Sequence, residues 1–271
     1  MIRRPLTFWL GCTLLAGFLT VAAFAPQLSP HDPRQSAGLP LSSPNWEHPL
    51  GTNDIGQDIL SQMLHGARTS IVVAGAITAI STLLSWTVGL LAGFVRQLES
   101  PLIGLTDFLL ALPDLPLILL VLTLIGPSQF NLVMVLALLS WPSFARIVRS
   151  VVIGARSSLY VEASRSIGAT SRHVMFRHLL PATLDVLPTK LVLTVRYAVF
   201  AEATLAFLGL GASETVSWGS MLNIAFGDSL LFSRSVWPWL VLPPTLAIAA
   251  LILATVWVGI GLTGHRTQQE S

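Results

Sequence analysis

Charge is the scarcest ingredient of this sequence. Asp, Glu, Lys and Arg supply 10% of 271 residues, where a soluble domain has about 25%. With 53% hydrophobic residues and a mean hydropathy of +0.72, that deficit excludes an ordinary soluble domain and indicates a polytopic membrane protein. Lysine occurs once, in Pro188-Thr189-Lys190-Leu191, with no glycine beside it. A phosphate-binding loop needs a glycine-rich turn ending in Lys-Ser or Lys-Thr, so none is present and any ATP hydrolysis belongs to another chain. Cysteine also occurs once. Cys12 lies in an apolar run, which excludes a disulfide framework and a thiolate zinc cluster. Ser217-Trp218-Gly219 lacks the Gly-x-Ser-x-Gly elbow of a serine nucleophile. The chain reads as a non-enzyme with no cofactor of its own.

What is abundant is uncharged length. A bilayer crossing takes about 20 apolar residues in a helix. Leu6 to Gln27 and Thr69 to Val95 are uncharged and give spans one and two. Leu115 to Ala145 is too long for one crossing, and Gly126-Pro127-Ser128 divides it, giving span three at 102–125 and span four at 129–148. Thr183 to Gly209 gives a fifth span despite Lys190, Arg196 and Glu202, and Trp237 to Leu262 a sixth. The expectation is an all-α fold of six transmembrane helices. Residues 1–68 form the first helix and an outer loop, 69–262 a five-helix core with a polar loop at 149–182, and 263–271 a tail.

The arginines orient these spans, because Lys and Arg collect in cytoplasmic loops. With both termini inside, the cytoplasmic segments hold Arg3, Arg4, Arg96, Arg146, Arg149, Arg156, Arg165, Arg172, Arg177 and Arg266. The outer loops hold Arg34, Arg68 and Arg234. The pI of 9.2 is thus a topology signal rather than a nucleic-acid footprint. Arg3-Arg4 before an apolar run ending in Ala23-Phe24-Ala25 also has the form of a cleaved signal, which would leave five spans. The uncharged run exceeds the usual apolar region of such signals, about 7–15 residues.

Residues 149–182 are polar and basic inside this apolar chain. Tyr160, Ala163 and Ile167 recur at helical spacing and Gly168 breaks the run. Thr170 or Ser171 can cap a second short helix carrying Met175, Phe176, Leu179 and Leu180, with Pro181 ending it. On physical grounds alone this is a helical hairpin with its arginines toward anionic headgroups. The spacing is narrower than that. Glu162, Ala163 and Ser164, then Gly168 and Ala169, then His178, Leu180 and Pro181 resemble the cytoplasmic signature of permease subunits of bacterial ATP-driven importers. That signature has Glu-Ala-Ala, three residues, Gly, nine residues, Ile, any residue and Leu-Pro. Ser164 and His178 depart from it, while Arg177-His178-Leu179-Leu180-Pro181 is similar to the variant of the peptide and nickel branch.

Further stretches extend the resemblance in order along the chain. They are Leu50 to Asp58, Gly66-Ala67-Arg68-Thr69-Ser70, Ser140-Trp141-Pro142 with Ala145, Arg146 and Arg149, Ala201-Glu202-Ala203, Phe207 to Gly211, and Ser217 to Leu222. Gln57 and Gln62 stand where arginines are usual, and Gly264-His265-Arg266-Thr267 lacks the family's acidic and basic ending. The resemblance implies an inner-membrane location and a set of partners. These are a second homologous permease, two ATPase subunits carrying the ATP and Mg, an external substrate-binding protein and the bilayer, with no nucleic acid. It also implies that the two short helices dock into a cleft on the ATPase. Peptides are the favoured cargo, with nickel or metal chelates as the alternative within the branch. The alternative of another class is a proton-coupled secondary transporter, for which no internal repeat is found.

Ionisable residues at membrane depth are candidates for function, because unpaired charge there costs about 2.5–3.5 kcal/mol even on lenient scales. Asp107, Asp114, Arg196 and Glu202 qualify. Asp107 and Asp114, seven apart, are expected on one helix face near a kink at Pro113 and Pro116. They either line the pathway or pair with Arg196 or the partner permease. Arg196 and Glu202, six apart, face different ways. His31, His48 and His65 match no compact metal site and are expected to face solvent. Trp46, Trp218, Trp237 and Trp239 are expected at the membrane interfaces.

Overall fold

The computed structural model describes residues 6–212, 214–228, 231–232 and 235–263. Arg3, Arg4, Arg234, Arg266 and the tail from 264 lie outside the described residues. The chain is all-helical; among the described residues the only β pairing is two isolated bridges, Ser36 with Gln57 and Thr52 with Asp58.

Helix α1 (Leu6–Leu28) is followed by the outer loop and by α2 (Ile59–Phe94). The second helix starts ten residues before the expected span because Asp58 caps it, its carboxylate accepting from Ser61 N at 2.8 Å. At 36 residues it is about 54 Å long, well beyond the hydrocarbon core, so Arg68 rides exposed on its N-terminal turns. Next come α3 (Arg96–Ala111) and α4 (Asp114–Ile125), which meet at 91° across Leu112 and Pro113. The single straight span expected at 102–125 is therefore broken. Proline disfavours helix in the residue before it, and Leu112 is extended at ψ 140°. Gly126, at φ +86°, and the Ser128 cap then open α5 (Gln129–Ser140), as the turn signal required.

Helix α6 (Pro142–Arg156) continues α5 almost in line, and the pair forms one 28-residue candidate span. It carries Arg146 and Arg149 on helix rather than loop, so the polar connection begins only at Ser157. There follow α7 (Leu159–Ser166), α8 (Ser171–Val174), a π-helical turn over Met175–Leu179 and α9 (Leu180–Leu184). Pro181 does not end the helix. It sits in the first turn of α9, where its missing N–H is harmless, after the wider π turn in which Leu180 N–H donates to Met175 O. Helices α10 (Leu187–Phe207), α11 (Trp218–Gly227), α12 (Trp237–Leu240) and α13 (Leu242–Thr263) complete the chain. Among the described residues, four helices are long and apolar enough to cross a membrane, or five with the bent pair counted as one. Helix α10 carries Lys190, Arg196 and Glu202 and is not among them.

Two apolar cores organise the packing. The larger runs through α2, α4, α5, α10, α11 and α13, including Ile77, Leu122, Leu136, Leu205, Trp218 and Leu251. Trp218 is buried rather than interfacial, its Nε1 donating to Met63 O at 3.1 Å. Trp46 is fully exposed. The smaller core gathers Leu90 of α2, Phe144, Val148 and Val152 of α6, and Val161, Val174 and Leu179 of the polar connection.

The seam between α2 and α6 requires glycine. A Cβ on Gly89 would stand 2.6 Å from Ala145 O and from Val148 Cβ, and one on Gly93 2.7 Å from Val152 Cβ. Small residues four apart let two helices approach this closely. Gly75, on the same helix, has no such neighbour within 4 Å. Gly89→Ala is expected to destabilise the chain by about 1–3 kcal/mol and Gly75→Ala hardly at all. Thermal unfolding of the two variants in detergent checks this, and equal midpoints would contradict the seam.

Candidate functional site: the polar knob and the groove

The polar connection folds into a small knob whose turn is set at Gly168. Ile167 caps α7, Gly168 N–H donates to Arg165 O at 2.9 Å, and Ala169 N–H reaches back to Ser164 O at 3.1 Å. This doubly bonded helix ending needs a left-handed residue, and Gly168 has φ +89°. Thr170 then caps α8, its hydroxyl accepting from His173 N at 3.3 Å. Across the turn, His178 Nε2 lies 3.3 Å from Ser164 Oγ, and its ring sits 5.6 Å from that of Tyr160 and 5.8 Å from that of His173. The two positions that depart from the family signature thus touch each other.

The inner face of the knob is apolar and fixed. Val161, Val174 and Leu179 are fully buried against Val148 and Val152, with Ala169 and Leu180 packed alongside. The outer face is free. Glu162, Ala163 and Pro181 are exposed, as are Arg165, Arg172 and Arg177. Ile167 is 88% exposed and Leu159 84%, with Phe176 and Tyr160 also out. The structure therefore brings Glu162, Ala163, Ser164, Gly168, Ala169, His178, Leu180 and Pro181 into one body, with an apolar and basic outer surface.

The intramembrane candidates do not form one cluster. The right-angle break puts Asp107 on α3 and Asp114 at the start of α4, so they share no face. Asp107 pairs with Arg146, and Glu99 with Arg149, so two ion pairs tie α3 to α6. Asp107 thus has a packing partner, Arg146 in place of the expected Arg196. Glu202 is 3% exposed and accepts from Ser70 Oγ at 3.1 Å, which links α10 to α2. Arg196 lies in a separate depression with Thr189, Val192 and Val256.

Asp114 instead lines a groove of ≈ 270 Å³ with Ser140, Ser143, Lys190, Thr194 and Tyr197. Lys190 was not among the sequence candidates. Its Nζ donates to Ser81 Oγ and to Ser140 O, each at 3.2 Å, and lies 5.2 Å from the Phe144 ring centre. Being the only lysine, and inside an apolar span, was the signal that could have singled it out.

The outer loop differs most from expectation. His48 is buried and hydrogen-bonded to Asp58, with His31 alongside, whereas His65 lies a turn into α2, near Ser61 O. Gln57 and Gln62, in the arginine positions, hold the loop with uncharged amides. Gln57 Nε2 donates to Arg34 O at 2.6 Å, and Gln62 Nε2 to Gln57 Oε1 at 2.7 Å.

Comparison with known proteins agrees with this architecture. Residues 85–260 match the family described as the binding-protein-dependent transport system inner membrane component. The chain is 36% identical over 250 residues to the di/tripeptide transport system permease protein DppC of Pseudomonas aeruginosa, covering 89% of this chain and 81% of that one. It is 32% identical over 255 residues to the dipeptide transport system permease protein DppC of Alkalihalophilus pseudofirmus, covering 93% and 82%. A multi-pass helical chain with a compact polar knob, matched along nearly its whole length, belongs to the family of inner-membrane components of binding-protein-dependent transport systems.

Proposed function

We propose that this chain is one permease subunit of an ATP-driven importer of short peptides, working with a second permease, two ATPase subunits and an external binding protein. The observation that carries the proposal is the knob around Gly168. It is rigid on the inside, where Val161, Val174 and Leu179 lock onto α6, and unpartnered on the outside, where Ile167, Leu159 and Phe176 lie in the open. Exposed apolar side chains ringed by arginines suit a protein cleft, and the rigid inner contact conveys motion of a docked ATPase to α6 and α2. The chain crosses the membrane six times in this reading, with α3 and α4 as one broken crossing, α10 as the fifth, and both termini cytoplasmic. Peptide as cargo is supported by the names of the relatives. A groove lined by both Asp114 and Lys190 also suits a zwitterion. ATP and Mg are assigned to the partner subunits.

Topology is tested with reporters active only outside the cytoplasm. A fusion near Ser43 is expected to be active and one after Thr267 inactive; an active fusion at the second site would overturn the even number of crossings.

Docking is tested at Gly168. Because a Cβ there meets nothing within 4 Å, the cost of Gly168→Asp is local strain of about 1–2 kcal/mol together with intrusion on the docked surface. The spans are expected to insert normally while ATPase co-purification and uptake are lost. Glu162→Lys should act more weakly, since an exposed pair is worth about 0–1 kcal/mol. Full ATPase recovery with Gly168→Asp would return the knob to the lipid surface.

The groove is tested by Asp114→Asn and Lys190→Met. Each is expected to lower peptide uptake about tenfold, the equivalent of about 1.4 kcal/mol, with ATPase co-purification unchanged. Unchanged uptake would remove the groove from the pathway.

A further inference from the structure

The outer loop places three metal-binding side chains at the head of α2. Asp58, fully buried, is the residue that caps the helix. His48, ten residues earlier and buried, has Nδ1 3.0 Å from Asp58 Oδ1. His31, just past the end of α1, has Nδ1 3.9 Å from Asp58 Oδ2, and its ring centre is 5.0 Å from that of His48. One ligand atom from each of the three lies within 4.8 Å of the others.

A hydrogen bond between His48 and Asp58 accounts for only two of these groups. The third is left over: His31 Nδ1 is shielded from solvent and has no hydrogen-bond partner, although it is aimed at the carboxylate. A buried ring nitrogen without a partner is costly. The carboxylate, in contrast, is held in place from behind. Its Oδ2 accepts from Ser61 N at 2.8 Å and from Ser61 Oγ at 2.7 Å, and Ser61 Oγ in turn accepts from His31 N at 3.1 Å. Outer bonds of this kind are what orient ligands around a metal.

We propose that His31, His48 and Asp58 bind a divalent first-row cation, zinc being the best match, which clips the outer loop to the head of α2. Two imidazoles and one carboxylate suit a borderline ion and not calcium or magnesium, which take oxygen ligands. Zinc bonds of about 2.0–2.2 Å in tetrahedral geometry put ligand atoms about 3.3–3.5 Å apart. His48 and His31 stand 3.0 and 3.9 Å from the two oxygens of Asp58, and the whole set spans 4.8 Å, so closing it around an ion takes an inward movement of the rings. The ion replaces the proton that His48 and Asp58 share and supplies the partner that His31 Nδ1 lacks. The site joins the end of α1, the loop and the start of α2, and it stands whether or not the transport reading does.

The experiment uses the full-length chain in detergent with its co-purifying subunits, stripped with chelator and then titrated with zinc, cobalt and calcium. One zinc per chain is expected. Cobalt should give the intense visible absorption of a four-coordinate site, and calcium should not bind. His31→Ala is the decisive variant, because its backbone bonds remain and it does not cap the helix. It is expected to weaken zinc binding at least about tenfold and to abolish the cobalt absorption, while His65→Ala changes neither. Zinc binding that is absent, that is retained in both His31→Ala and His48→Gln, or that falls as far in His65→Ala, would overturn the site.

Discussion

The contact between α2 and α6 is the constraint on which the other arrangements rest. Two missing side chains, at Gly89 and Gly93, let the helices lie close enough for Val148 and Val152 to fill the space. The same two valines then carry the polar knob, since Val161, Val174 and Leu179 pack onto them. With a wider seam, α6 would shift outward and its buried surface would be divided between two partners it could no longer reach together. Interiors are dense enough that a displacement of one methyl group is felt by its neighbours. The knob and the long second helix are therefore parts of one packed unit.

Polar side chains in this protein sit at joints between elements. Lys190 ties α10 to α2 and to the end of α5, Glu202 ties α10 to α2, and Arg146 and Arg149 tie α6 to α3. This follows from the solvent. In a bilayer there is little gain from bringing apolar helices together, so close packing and hydrogen bonds select the neighbours. Asp114 and Arg196 differ, each exposed and lining a depression, and Asp114 shares its groove with Lys190.

Much of this was legible in the sequence, and the failures share a cause. Helix identity, the turn at Gly126-Pro127-Ser128, the break at Gly168 and the cap at Thr170 all depend on local chemistry and appear as expected. The right angle between α3 and α4 was signalled by Pro113, but its size depends on what α4 packs against, so two aspartates seven apart lost their common face. Pro181 was misread because a proline that would end a regular helix is accommodated by the π turn before it. His48, Asp58 and His31 come together through loop pairings such as Thr52 with Asp58, which no spacing rule encodes. The boundaries of α2 and α6 were missed because charge was taken as the limit of a helix, although a helix that outruns the bilayer can carry arginine on its wet turns.

The π turn over Met175–Leu179 has a consequence for how the chain is measured in residues. It holds one residue more than a regular turn, and in an α-helix each residue advances the azimuth by about 100°. That surplus residue sets the angle between the exposed side of α8 and the first turn of α9, as a washer sets the phase of a screw. Loss of a single residue here would leave every side-chain identity intact and yet turn α9 by about 100° against the knob, whose Val161 and Val174 stay packed on α6. In this segment length is itself information, held independently of which amino acids supply it.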